Sequence, residues 1–149
     1  MRVMIAVDDS PCSQAALDFV RRVSWPSGTT VMVVSSVELP ASAFAMDYAP
    51  VNLELGVWLD ELTKYHQQVV SRDETVLRSA GLRVTSSVLQ GDPRETLIEE
   101  ARRERADLVV VGSHGRTGLD RLLMGSVASH VVTHAPCSVL VVKEAEKQP

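Results

Sequence analysis

Residues 3–23 read VMIAVDDSPCSQAALDFVRRV, and the change of pattern at Asp8-Asp9 decides the fold class. The first five residues form a continuous apolar run of strand length, as expected of a strand covered on both faces. Ser10 and Pro11 then read as the N-cap and first position of a helix. Behind them the apolar residues at 16, 19, 20 and 23 recur at the spacing of one helix face. WPSG, residues 25–28, closes the helix.

The same alternation runs on to the end of the chain. TVMVVSSV (30–37), LRVTSSVLQ (82–90), DLVVVG (107–112) and SVLVVK (138–143) read as four more strands. A helix is expected from about Leu53 to Ser79. Another opens at Asp92-Pro93-Arg94-Glu95, where a capping residue is followed by proline at the first helical position and glutamate at the third. Between strand and helix, ELPASAFAMDYAPVN (38–52) is apolar for a loop and reads equally as a flap over a ligand or a surface loop. Strands alternating with helices imply a doubly wound parallel α/β sheet. In such sheets ligands lie beyond the carboxyl ends of the strands, where the strand order reverses. The loops after the first and fourth strands are therefore the places to look for a site.

Composition narrows the function classes. The 149 residues are 45% hydrophobic, 23% charged and only 4% aromatic, which describes a single globular domain with an aliphatic core and a short flexible tail at 143–149. A net charge of −4 with scattered basic residues argues against nucleic acid or an anionic membrane as partner. No run approaches the roughly 18 apolar residues of a membrane span, and a cytoplasmic location is expected. Cys12 and Cys137 lack metal-like spacing and read as small hydrophobes.

The fourth strand leads into VVGSHGRTGLDRLLMGSVASHV (110–131), with Gly112, Gly115, Gly118 and Gly125 in the pattern G-x2-G-x9-G-S. A glycine at a strand exit permits positive φ, and another lets backbone amides approach an anion with no Cβ in the way. Gly125 interrupts the apolar periodicity, so the last helix is expected to begin there with Ser126 as N-cap, offering its unpaired N–H groups to a phosphate. The competing explanation is that Gly115 and Gly118 make turns while Gly125 permits close helix packing. The spacing differs from both the P-loop and the dinucleotide fingerprint.

With these residues in view, the chain resembles the universal stress proteins of the nucleotide-binding kind. The likeness lies in IAVDDS, in QGDPRETLIEEARRERADLVVVGSHG and in GRTGLDRLLMGSVASHVVTHAPCSVLVVK. It implies a five-stranded sheet of order 3-2-1-4-5 and ATP, with Mg²⁺, as ligand. It also implies that Asp8 holds adenine or ribose and that Val37 meets adenine through its backbone. Gly112 would lie on the ribose, with Gly115, Gly125, Ser126 and Val127 on the phosphates. Arg116 and Arg121 flank the loop, within reach of a γ-phosphate or simply solvated.

Other candidates carry less. Of Asp8 and Asp9, one is expected to cap the following helix and the other to touch ligand. His114 lies in the glycine loop, with no partner acid or nucleophile identifiable for catalysis. His130 and His134 have metal-ligand spacing but lack a third ligand, and read as helix-surface residues. Phe19, Trp25, Trp58 and Met124 read as packing residues. The expected function is regulatory binding of ATP in a stress response, the stress role coming from the resemblance alone. A slow ATP hydrolase or phosphotransferase, a binder of cyclic AMP, and a dimeric interaction protein with a vestigial pocket are the alternatives. The uncharged fifth strand, at an edge of the implied sheet, points to a homodimer through 138–142.

Overall fold

The computed structural model describes residues 1–38, 51–115 and 124–144. The expected flap, apart from its first and last residues, lies outside them, as do Arg116, Gly118, Arg121 and the tail from 145. The elements follow in the order β1 (Arg2–Ala6), α1 (Pro11–Arg22), β2 (Thr30–Val37), α2 (Val51–Ser79), β3 (Arg83–Gln90), α3 (Pro93–Arg103), β4 (Leu108–Gly112), α4 (Ser126–His134) and β5 (Ser138–Val142). The strands form one sheet of order β3-β2-β1-β4-β5. Every pairing is parallel, with Val3 opposite both Val31 of β2 and Leu108 of β4.

The unbroken apolar runs of the inner strands follow from burial on both faces. Val3 and Ile5 of β1, with Val31 and Val33 of β2, pack with Ala16, Leu17 and Val20 of α1 and with Val69, Val70 and Leu77 of α2. Their neighbours Met4 and Val34 face the other way, joining Val109 and Val111 of β4 against Leu97, Ile98 and Ala101 of α3 and Ala128 and Val131 of α4. A strand covered on both sides has no polar face to show, so its sequence does not alternate.

Both proline-led helices begin where expected. The Ser10 side chain accepts from the Ser13 N–H, and the Asp92 side chain accepts from the Arg94 N–H. The buried face of α1 differs from the sequence expectation: it is Ser13, Ala16, Leu17 and Val20, while Phe19 is exposed. The helix is turned so that the i, i+3, i+4, i+7 stripe begins at Ser13, which leaves Phe19 outside it. Trp58 and Met124 are exposed as well, whereas Trp25 packs on the core and donates its indole N–H to the Val20 carbonyl.

Candidate functional site

A cavity of about 450 Å³ opens at the carboxyl ends of β1, β2 and β4, where the strand order reverses. Asp8, Gly112, Gly115, Gly125, Ser126 and Val127 all line it, although they come from three separate stretches of chain. Val37 does not line it. Val37 is 1% exposed, its carbonyl accepts from the Gly91 N–H at 2.9 Å, and the cavity wall at this strand end is made by Ser36 and Glu38.

Asp8 leaves β1 in a tight arrangement. Its Oδ1 accepts from the Ser10 N–H at 3.1 Å and from the Ser10 hydroxyl at 2.6 Å, and its own N–H donates to Ser13 Oγ at 3.2 Å. Asp8 thereby braces the residue that caps α1. Asp9 neither caps a helix nor lines the cavity. It adopts φ of +62°, and its carboxylate accepts from Gln14, from the Tyr65 hydroxyl at 3.0 Å and from Arg72 at 2.8 Å. Arg72 also bonds the buried Asp73, and this bond foremost holds the guanidinium charged. Burial pushes the Asp73 carboxyl up, against the pull of Arg72. The loop carrying Asp8 is thus tied to the middle of α2.

The glycines have a different reason from the one their spacing suggests. Among the described residues, positive φ at glycine occurs at Gly28, Gly81 and Gly91, so the expected left-handed turn at Gly112 is absent. What Gly112 lacks is room: a Cβ there would lie 2.8 Å from the Cys12 carbonyl carbon, in the first turn of α1. At Gly115 a Cβ would meet Asp8 Oδ2 at 2.8 Å, and at Gly125 it would meet the Ser113 carbonyl oxygen at 3.2 Å. Close packing of the strand end on α1 requires the bare backbone at Gly112, while at Gly115 and Gly125 the neighbours are near enough to leave a side chain little room.

Gly125 also takes the N-cap position expected of Ser126. Its N–H donates to the Ser113 carbonyl at 2.8 Å, which brings the chain into the helix one residue early. Ser126 is the first helical residue, and among the described residues no side chain caps α4. The first intrahelical bond runs from the Ser129 N–H to the Gly125 carbonyl, so the amides of Ser126, Val127 and Ala128 have no acceptor within the helix. All three residues line the cavity, bringing to it the partial positive charge of a helix N-terminus.

His114 lines the cavity with Nδ1 3.0 Å from Ser113 Oγ. His130 and His134 lie away from it, their rings stacked at 4.1 Å and His130 beside Glu95. No group of three His, Cys, Asp or Glu side chains suited to a metal occurs among the described residues. Neither cysteine is in a disulfide, and burial pushes the Cys137 thiol up, away from reactivity. The sequence reading missed the contribution of α2, whose Leu62 and His66 form cavity wall. The available signal was the presence of His66 and Asp73 on the stripe that Val69, Val70 and Leu77 bury.

A doubly wound parallel sheet with an anion-directed helix start beside its switch point places the molecule among the α/β binding proteins that use this crevice. The universal stress protein family profile matches residues 1–143. The chain belongs to the universal stress protein family. It is 31% identical to universal stress protein A homolog 1 of Coxiella burnetii over 94% of each chain. It is 38% identical to universal stress protein MJ0531 of Methanocaldococcus jannaschii over 62% of this chain and 56% of that protein. The solved structure of protein MJ0577 from the same organism has a TM-score of 0.85 at 23% identity, covering 98% of this chain and 97% of that one. A family protein of Arabidopsis thaliana solved with AMP bound has a TM-score of 0.67 at 19% identity, over 98% and 93% of the two chains.

Proposed function

We propose that the cavity binds an adenine nucleotide, with ATP accompanied by Mg²⁺ as its ligand, and that occupancy acts as a regulatory signal in a cytoplasmic stress response. The observation carrying this reading is the N-terminus of α4, whose amides at Ser126, Val127 and Ala128 have no acceptor within the helix and belong to residues lining a cavity that Asp8 closes on the β1 side. A triphosphate would fill the α4 end, and the half-apolar opposite end suits a base. The bound AMP of the Arabidopsis relative supports the adenine class. Another solved family structure, a complex with cAMP, does the same; its TM-score is 0.65 at 23% identity over 97% of this chain and 98% of that one. Mg²⁺ suits a site with few carboxylates, since it commonly arrives on phosphates with one or two protein oxygens, here Asp8 or Glu38. ATP should bind more tightly than cyclic AMP, which would leave part of the phosphate end unused.

The test is to denature the purified protein, record ultraviolet absorbance of the released fraction and identify its contents by mass, then titrate the emptied protein with ATP. An adenine nucleotide in the released fraction and saturable ATP binding are expected. An empty fraction together with no heat of binding would remove the proposal. The hydrolase alternative depends on His114, the histidine at the phosphate side of the cavity. We expect labelled ATP to stay intact over the lifetime of one complex; multiple turnover lost in His114→Ala would establish an enzyme instead.

A further inference from the structure

Asp73 stands where an apolar residue would serve stability better. It lies on the stripe of α2 that carries Val69, Val70 and Leu77 into the core, it is 0% exposed, and among the described residues its Oδ2 has no hydrogen-bond partner. A buried carboxylate with one oxygen unsatisfied destabilises the fold. A second unfavourable feature lies close by: Asp9 holds a left-handed φ of +62°, which a Cβ disfavours. Arg72 joins the two. Its Nε donates to Asp73 Oδ1 and its Nη2 to Asp9 Oδ1, both at 2.8 Å. These N–H groups lie along one edge of the rigid guanidinium plane, so the bond to Asp73 sets the direction of the bond to Asp9. The Arg72 side chain is 48% exposed, and an arginine so open to water would hold Asp9 weakly if nothing fixed its own orientation. A carboxylate locked in the core fixes it.

We infer that Asp73 is a positioning residue for the nucleotide site: through Arg72 it holds Asp9 in the left-handed turn and so keeps the neighbouring Asp8 carboxylate on the cavity wall, to the detriment of stability. The inference rests on the nucleotide reading. Asp8 lines the cavity and Asp9 does not, so the turn between them decides which carboxylate faces a ligand. Gln14 of α1 and Tyr65 of α2 add to the grip on Asp9. An unsatisfied buried group and a disfavoured backbone angle joined by one side chain, beside a cavity, are what a structure keeps when geometry at the site matters more than stability.

The experiment follows urea denaturation and ATP titration in the wild type, Asp73→Val, Arg72→Met and the double variant. Asp73→Val should denature at a urea concentration no lower than the wild type, since the released Arg72 can turn into water, yet bind ATP roughly three- to thirtyfold more weakly. Arg72→Met should lose affinity to the same degree and also denature earlier, because it leaves Asp73 buried without its cation. The double variant should regain the urea midpoint and not the affinity. In nucleotide-free protein the Ser10 amide, which donates to Asp8 Oδ1, should exchange hydrogen faster in the double variant than in the wild type. Affinity that stays at the wild-type value, or that rises and falls with the urea midpoint across the series, overturns the positioning role, as does unchanged exchange at Ser10. Failure of the wild type to bind ATP overturns the nucleotide reading instead, and the exchange measurement still reports whether Asp73 holds the turn.

Discussion

Gly112 and Gly115 stand three residues apart, yet substitution should affect them in opposite ways. A methyl at Gly112 meets the backbone of Cys12, whose carbonyl carbon would be 2.8 Å away, and a helix turn cannot give way cheaply. Gly112→Ala should cost about 1–3 kcal/mol of stability, as overpacking does, measurable by urea denaturation. Among the described residues, a methyl at Gly115 meets only the end of the Asp8 side chain. Gly115→Ala should stay within about 0.5 kcal/mol of wild type while pushing Asp8 off its Ser10 anchor and weakening ATP binding by roughly tenfold. Equal stability losses in the two would show that the loop tolerates neither. Ser126→Ala separates the same two roles: Ser126 is exposed and its hydroxyl caps nothing, so the thermal midpoint should not move, whereas affinity should fall if the hydroxyl reaches phosphate.

Among the elements, α3 has the clearest electrostatic signature. Asp92 caps it, and the Arg94 guanidinium holds the Asp92 carboxyl below its ordinary value. A group that is more acidic folded than unfolded adds stability above its unfolded pKa and loses that contribution as pH falls through the lower folded value. Asp92→Asn keeps an N-capping side chain but removes the charge. The wild type should therefore exceed Asp92→Asn by up to about 1 kcal/mol at neutral pH, the exposed pair being well screened. The gap should close below about pH 4. Chemical denaturation of both proteins at neutral and acid pH measures it, and a gap that widened in acid would contradict the assignment.

At the scale of the molecule, β5 is an edge strand, paired to β4 on one side. Its Val139 and Val141 side chains already pack on one core and Leu140 and Val142 on the other, so what the edge offers a partner is chiefly backbone. The Val142 carbonyl accepts from the Ser113 N–H, which directs Val142 toward β4 and, by the two-residue period, Val141 toward the open edge. We expect a homodimer formed by antiparallel pairing of two such edges. Val141→Pro removes an outward N–H donor, whereas Val141→Ala removes side chain alone. Light scattering at micromolar concentration should find the proline variant monomeric and the alanine variant dimeric; a monomeric wild type would end the proposal.

Local chemistry was enough to place the strands, the proline-led helix starts and the glycine spacing, because each depends on residues within one turn or one strand of each other. The parallel arrangement followed from apolar runs too continuous for a half-exposed sheet, and the order β3-β2-β1-β4-β5 was implied by the family resemblance. Tertiary structure alone decided the rest. Which face of α1 is buried depends on how the helix settles on the sheet, and it left Phe19 outside. Why Gly112 is glycine depends on Cys12, a hundred residues earlier, and Gly125 displaced Ser126 as cap because of the Ser113 carbonyl. Asp9, Tyr65 and Arg72, like Val7, Ser35 and His66, become neighbours only when α2 packs across the ends of β1 and β2. A hydrogen bond has a reach of about 3 Å, so its partners are chosen by packing and not by spacing along the chain.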